Sequence, residues 1–255
     1  MGNFVAENSI VRTIWGNSDL VLLVFAGSAA EFALNRAVDW LFFTNQLPQD
    51  PIGRLFSTAL FAQEIVFVDE ATAQGTLDRI TAIHGAVEQE RGRRIPDWAY
   101  RDVLYMLIDY SERAYRLLYR PLKPREQEEL YEVYRRVGEG LRIPDLPSSY
   151  AEWQADRRLH LERDLAYSQH TAKLYEQYRA HLGPWRYALL LQVQALLAPA
   201  EVCQWLKLSP APLLVPATWL YGVYDQLQLR PLIQWLLLPS RYLDQARQLD
   251  RTVSA

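Results

Sequence analysis

Apolar residues recur at helical spacing along nearly the whole chain, and the alternation of a half-buried strand is hard to find. Turn and cap residues cut this periodicity into helix-sized pieces. Ser18 to Leu34 reads as a buried helix. Asp50-Pro51 is a start signal, because Asp accepts from first-turn amides and Pro suits the first helical position. The helix it opens is expected to reach about Phe67, and Asp69 begins another that runs to about Glu90. Trp98 to Tyr119 is amphipathic, with Leu104, Leu107, Ile108, Ser111, Tyr115 and Leu118 on one face. Pro124 opens the next helix and Gly138 or Gly140 closes it. Ser149 and Glu152 form the S-x-x-E capping box of a polar helix expected to reach about Ala180. Three more helices are read near Trp185–Leu197, Pro199–Leu206 and Pro216–Leu227. No repeat is evident. The expectation is all-α, one multi-helix domain over residues 1–255, with eight to ten helices.

Composition narrows the function classes. The 27 Lys+Arg against 30 Asp+Glu leave a net charge of −3, which gives no footprint for nucleic acid. The single cysteine, Cys203, rules out an intramolecular disulfide and fits a reducing, cytoplasmic setting. Met1-Gly2-Asn3-Phe4 lacks the basic start of a secretory signal. The longest uncharged run, Leu208 to Tyr224, contains Pro210, Pro212 and Pro216, which would break a spanning helix. It reads as core, with a surface lying on a membrane as the alternative. Trp185, Trp205, Trp219 and Trp235 are likewise expected in the core. There is no G-K-[ST], no G-x-S-x-G and no H-E-x-x-H. None of the four histidines has a Glu three residues before it, so a helical di-iron carboxylate site is excluded.

Two features remain. His84 falls on or beside the inward stripe Leu77, Ile80, Ile83 and Val87, whereas His160 and His170 sit among charges and are expected in solvent, and His181 is expected to cap a helix. A buried histidine is most often a core residue with one ring nitrogen hydrogen-bonded. The sharper reading is an axial ligand, since a haem needs only one strong protein ligand and an apolar slot between helices. The second feature is Asp50-Pro51-Ile52-Gly53-Arg54-Leu55-Phe56-Ser57-Thr58. Arg54 and Thr58 share a helix face that Phe61 and Ile65 continue. A fixed cation and a hydroxyl on an apolar face suit an anionic group in a mostly dry pocket. The bland reading is a snorkelling Arg and a Thr bonded to its own backbone.

The D-P-x-G-R-L-x-x-T stretch, followed thirty residues after Arg54 by I-H-x-x-V, resembles the mpaB-like oxygenase family, which includes the rubber oxygenase (latex clearing protein) catalytic domain. Phe67-Val68-Asp69-Glu70-Ala71 is similar to the family's turn between the Arg and His helices. Ala114-Tyr115 through Pro121-Leu122, with Glu126 and Tyr131, is similar to its next block; Ile143-Pro144 and Leu238-Pro239 are weaker punctuation. The likeness covers about residues 10 to 245. It implies a haem b in a globin-like helical core. His84 would be the proximal iron ligand, Thr58 a polar pocket residue, and Arg54 the cation beside a propionate, with Phe61 beside them. Arg54 and Thr58 would line the face where oxygen reacts.

The resemblance has departures. Rubber-cleaving members carry a lysine just before the Thr; here Ser57 stands there and cannot ligate iron. Asp39 is the nearest match to the family's upstream acidic residue, and Glu31 is the other candidate. The expected activity is a haem-dependent oxygenase using O2 on an apolar, lipid- or isoprenoid-like small molecule. The alternatives are a non-catalytic haem or apolar-ligand binder, and a helical interaction module without cofactor.

Overall fold

The computed structural model describes residues 2–43, 49–210, 234 and 238–251, and these form twelve α-helices with two isolated β-bridges. Helix α1 (Ile10–Trp15) starts at Ser9, whose hydroxyl accepts from the Val11 amide. Helix α2 (Ser18–Leu34) has the bounds its sequence predicts, and the Asn17 side chain caps it. It is apolar on every side, so it can be stable only when surrounded. Helices α3 (Val38–Phe43), α4 (Pro51–Val66), α5 (Glu70–Arg91) and α6 (Asp97–Leu118) follow. The chain continues through α7 (Pro124–Gly140), α8 (Tyr150–Arg163), α9 (Gln169–Leu182), α10 (Pro184–Leu197), α11 (Ala200–Leu206) and α12 (Leu243–Gln248). Helix α2 is the central strut. Its closest neighbour is α6: a Cβ on Gly27 would collide with the Tyr110 ring and stand 3.2 Å from Leu197 Cβ. One large core joins α1, α2 and α4 to α7, with smaller clusters around it.

The turn between α4 and α5 is bound on two sides. Phe4 donates its amide to the Val68 carbonyl at 3.0 Å, and the Glu70 amide donates to Gly2 at 3.1 Å. Buried Gln63 donates to the carbonyls of Trp15 and Leu249, at 2.8 and 2.7 Å. Arg136 on α7 lies over the Phe4 ring, donates to the Phe4 carbonyl and pairs with Glu70.

Several expectations need correction. The polar segment from Ser149 to Ala180 is two helices, not one. Helix α8 stops at Asp164, Leu165 bridges Asn35, and Ser168 recaps the chain as α9. The break is tertiary in origin: Arg36 donates to the Asp164 carbonyl and Ala166 to that of Leu34, so the bonds leave the helix. Trp185 and Trp205 are 44% and 49% exposed, while Trp219 and Trp235 lie outside the described residues, as does the helix expected at Pro216–Leu227. Ile83 is also exposed, so the inward stripe of α5 skips it and resumes at Val87, which packs against Ala37, Trp40 and Ala99. Among the described residues, no helix is long and apolar enough to cross a membrane.

Candidate functional site

Helices α4 and α5 form an antiparallel hairpin, and both starts are built from short polar contacts. Asp50 accepts from the Gly53 amide at 3.0 Å and from the Tyr242 hydroxyl at 2.6 Å. Burial pushes the Asp50 carboxyl up, but these two bonds, with His181 and Arg241 nearby, hold it below the usual carboxylate range. Gly53 is required there, since a Cβ would collide with the Asp50 carboxylate. Asp69 caps α5 through the Ala71 and Thr72 amides, each at 3.1 Å. Gly92 closes α5 in the left-handed conformation, φ +65°.

The hairpin brings Arg54 and His84 together. Arg54 is half-buried and has no hydrogen bond or ion pair among the described residues. His84 rests against the Tyr100 ring, with centroids 5.2 Å apart, and neither of its ring nitrogens is hydrogen-bonded among the described residues. Burial first, and the Arg54 charge second, hold the His84 pKa below the ordinary value, while Glu88 pulls weakly the other way. The imidazole is therefore neutral at neutral pH, the form that binds metals. His84 is half-buried rather than core, and its ring nitrogens are open to a ligand.

The remaining predicted residues lie on the same hairpin. The Thr58 hydroxyl donates to the Arg54 carbonyl at 3.0 Å, which is the bland reading of a helical Thr, yet its oxygen keeps acceptor capacity. Ser57 bonds its own helix likewise, to the Gly53 carbonyl. Phe61 stands nearer the turn, beneath the Arg79 guanidinium at 5.2 Å, and Arg79 pairs with Glu64 across the two helices.

The two upstream acidic candidates are both engaged. Asp39 pairs with Arg91 at 2.6 Å, and Arg91 also covers the Trp40 ring at 4.0 Å. Glu31 is buried and gripped by both arms of Arg157, each at 2.6 Å. Arg157 also reaches Asp109 at 3.0 Å, and Asp109 pairs with Arg113 at 2.6 Å. Burial pushes the Asp109 carboxyl up, but the two guanidinium groups outweigh it and keep it below the usual range.

Sequence reasoning missed a second constellation. His160 is not in solvent: it is 2% exposed and faces the equally hidden Asp102 and Asp164. The flanking Arg157, Arg158, Glu162 and Arg163 disguise it. The signal was in the spacing, because Trp153, Arg157, His160, Leu161 and Asp164 recur every three or four residues and all are buried. His181 does act at a helix end: its Nδ1 contacts the Gln177 carbonyl at 2.9 Å.

An apolar cavity of about 230 Å³ lies between α2, α4, α9 and α10, lined by residues such as Ala26, Leu55, Phe56, Ala59, Leu182 and Leu190. At 100° per residue, its α4 lining is on the face away from Arg54, Thr58 and Phe61. The cavity and the Arg54–His84 pair are thus back to back across one helix.

No curated protein and no solved structure matches the chain. A family model described as "ER-bound oxygenase mpaB/B'/Rubber oxygenase, catalytic domain" matches residues 15–227, a span that takes in the hairpin with Arg54, Thr58 and His84. With most of its length inside that match, the chain belongs to the mpaB/rubber oxygenase catalytic-domain family.

Proposed function

We propose that this oxygenase-family protein is haem b-dependent and acts with O2 on an apolar, lipid- or isoprenoid-like small molecule. The observation that carries the reading is an open pair: a half-buried imidazole with no protein partner on either nitrogen, beside a half-buried cation without an ion-pair partner among the described residues. A haem has complementary needs, an iron seeking one nitrogen ligand and carboxylates seeking a cation. His84 would hold the iron and Arg54 a propionate. Thr58 would offer a polar oxygen on the reacting face and Phe61 part of its apolar wall. When bound, the haem supplies the oxygen chemistry, and the chain supplies orientation and dryness. Asp39 is the better candidate for proton exchange, since its carboxylate is partly exposed while Glu31 is enclosed by Arg157. The cavity behind α4 supports an apolar ligand by its lining. Exposed Trp185 and Trp205 support contact with a membrane surface from the cytoplasm.

A haemin titration of the purified protein, followed by absorption, tests this. The expected result is a saturable Soret band that shifts or fades in His84→Ala, with oxygen consumption on isoprenoid substrates lost in the same variant. A folded protein that ignores haemin would overturn the reading. One observation favours a second reading, a haem or apolar-ligand binder without turnover: Ser57 replaces the family's lysine and both acidic candidates are paired. A His84-dependent Soret band without oxygen consumption would select it.

A further inference from the structure

The Asp102–His160–Asp164 constellation lies apart from the α4–α5 hairpin and plays no part in the reading above. It joins the second turn of α6 to the last turn and end of α8. The three donor atoms lie within 4.8 Å of one another, and all three residues are buried. His160 Nδ1 contacts Asp102 Oδ1 and stands 3.2 Å from Asp164 Oδ2. Ligand atoms around a tetrahedral zinc are separated by roughly 3.0–3.5 Å, so the latter spacing is that of two ligands on one ion.

The proton count argues the same way. Nδ1 can carry one hydrogen, yet two carboxylates converge on it. No Arg or Lys lies within ion-pair distance of Asp102 among the described residues, so the positive charge that balances this buried carboxylate must sit at His160 Nδ1, as a proton or as a metal ion. The outer contacts fix each donor from behind. Asn35 donates to the other Asp102 oxygen at 2.6 Å. Arg163 holds both oxygens of Asp164 at 2.7 Å. On the far side of the ring, Nε2 faces Asp156 Oδ2 at 3.5 Å, and that oxygen accepts from the Tyr105 hydroxyl at 2.7 Å. The Arg163 guanidinium reaches the same Nε2 at 3.4 Å, so both a carboxylate and a cation stand behind the ring.

We infer that Asp102, His160 and Asp164 bind one divalent transition-metal ion of the Zn²⁺ class, which fastens α8 to α6. One imidazole and two carboxylates suit a borderline cation better than Ca²⁺ or Mg²⁺, which prefer all-oxygen shells. The ion has a structural role, because the outer contacts enclose the donors and the site does not open on the cavity behind α4.

The test uses the full chain. Metal content is measured after expression with added Zn²⁺ and desalting, then after chelator treatment and reconstitution, with Co²⁺ as the optical probe. The expected result is about one non-haem metal ion per chain. Reconstitution should raise the Tm by roughly 5–10 °C. Asp164→Asn and His160→Gln should each lower occupancy at least tenfold, and His84→Ala should leave it unchanged. A wild-type chain that holds no metal and takes up neither Zn²⁺ nor Co²⁺ would overturn the proposal. So would ¹⁵N-histidine spectra showing His160 doubly protonated at neutral pH. Metal lost in His84→Ala but kept in Asp164→Asn would assign the ion to the hairpin and overturn it as well. Should either cluster variant fail to fold, the wild-type metal count and the Co²⁺ spectrum decide.

Discussion

Arg54 separates binding from stability better than any other side chain. It makes no ion pair among the described residues, so Arg54→Ala should change unfolding free energy by only about 0.5 kcal/mol, as a surface substitution would. The same variant should weaken haemin binding at least tenfold, because the propionate would lose its cation. Denaturant unfolding beside a haemin titration reads both. Removing Arg54 also removes a charge that holds the His84 pKa down, so that pKa should rise in an NMR titration of the variant. In the unaltered protein the folded pKa is below the unfolded one, about 6.5. The unfolded chain therefore binds more protons as pH falls through that value, and His84's contribution to stability is lost below it. Tm measured from pH 7.5 to pH 5 should fall on the acid side, with less of the fall in His84→Ala. Arg54 and His84 were each legible from a helix face, and it was the resemblance to the family's spacing that joined them. The enclosure of Glu31 was not, because Arg157 lies 126 positions away and nothing in the sequence joins them.

At the scale of helices, α2 and α6 set the limits. Gly27→Ala drives a methyl into Tyr110, a fully buried ring on α6 that cannot step aside, and should destabilise the protein by about 1–3 kcal/mol. Arg157→Ala strands buried Glu31 without its cation, leaves Asp109 to Arg113 alone, and should cost about 3–5 kcal/mol. Chemical denaturation at neutral pH measures both losses. The helix starts followed closely from caps: Asp50, Asp69 and Ser149 each act as their residue type predicts. The break between α8 and α9 escaped because no Gly or Pro marks it. There the Ala166 amide leaves the helix to bond the Leu34 carbonyl and the Asp164 carbonyl accepts from Arg36 across the fold, and such competition has no local signature.

Across the whole molecule, apolar periodicity conveyed the all-α architecture, and it could not convey which helix faces meet. Hence the cavity behind α4, which needs four helices to define it, was not foreseeable from any one segment. The binding of the α4–α5 turn by residues 2–4, by Leu249 and by Arg136 has a mechanical consequence. The two helices behave as the arms of tweezers held at the bend. Arg54 and His84 ride near the tips, roughly 20 Å from the bend at 1.5 Å per residue. A rotation of 5° at the bend would part the tips by only about 2 Å over that length, so the grip on the bend fixes the gauge of whatever fits between them. Arg136→Ala loosens that grip without touching either tip. It should speed amide exchange at Phe4 and broaden the haemin-binding transition, which exchange mass spectrometry and the same titration would record. The jaw width of this protein is thus set at its spring, far from the residues that close on the load.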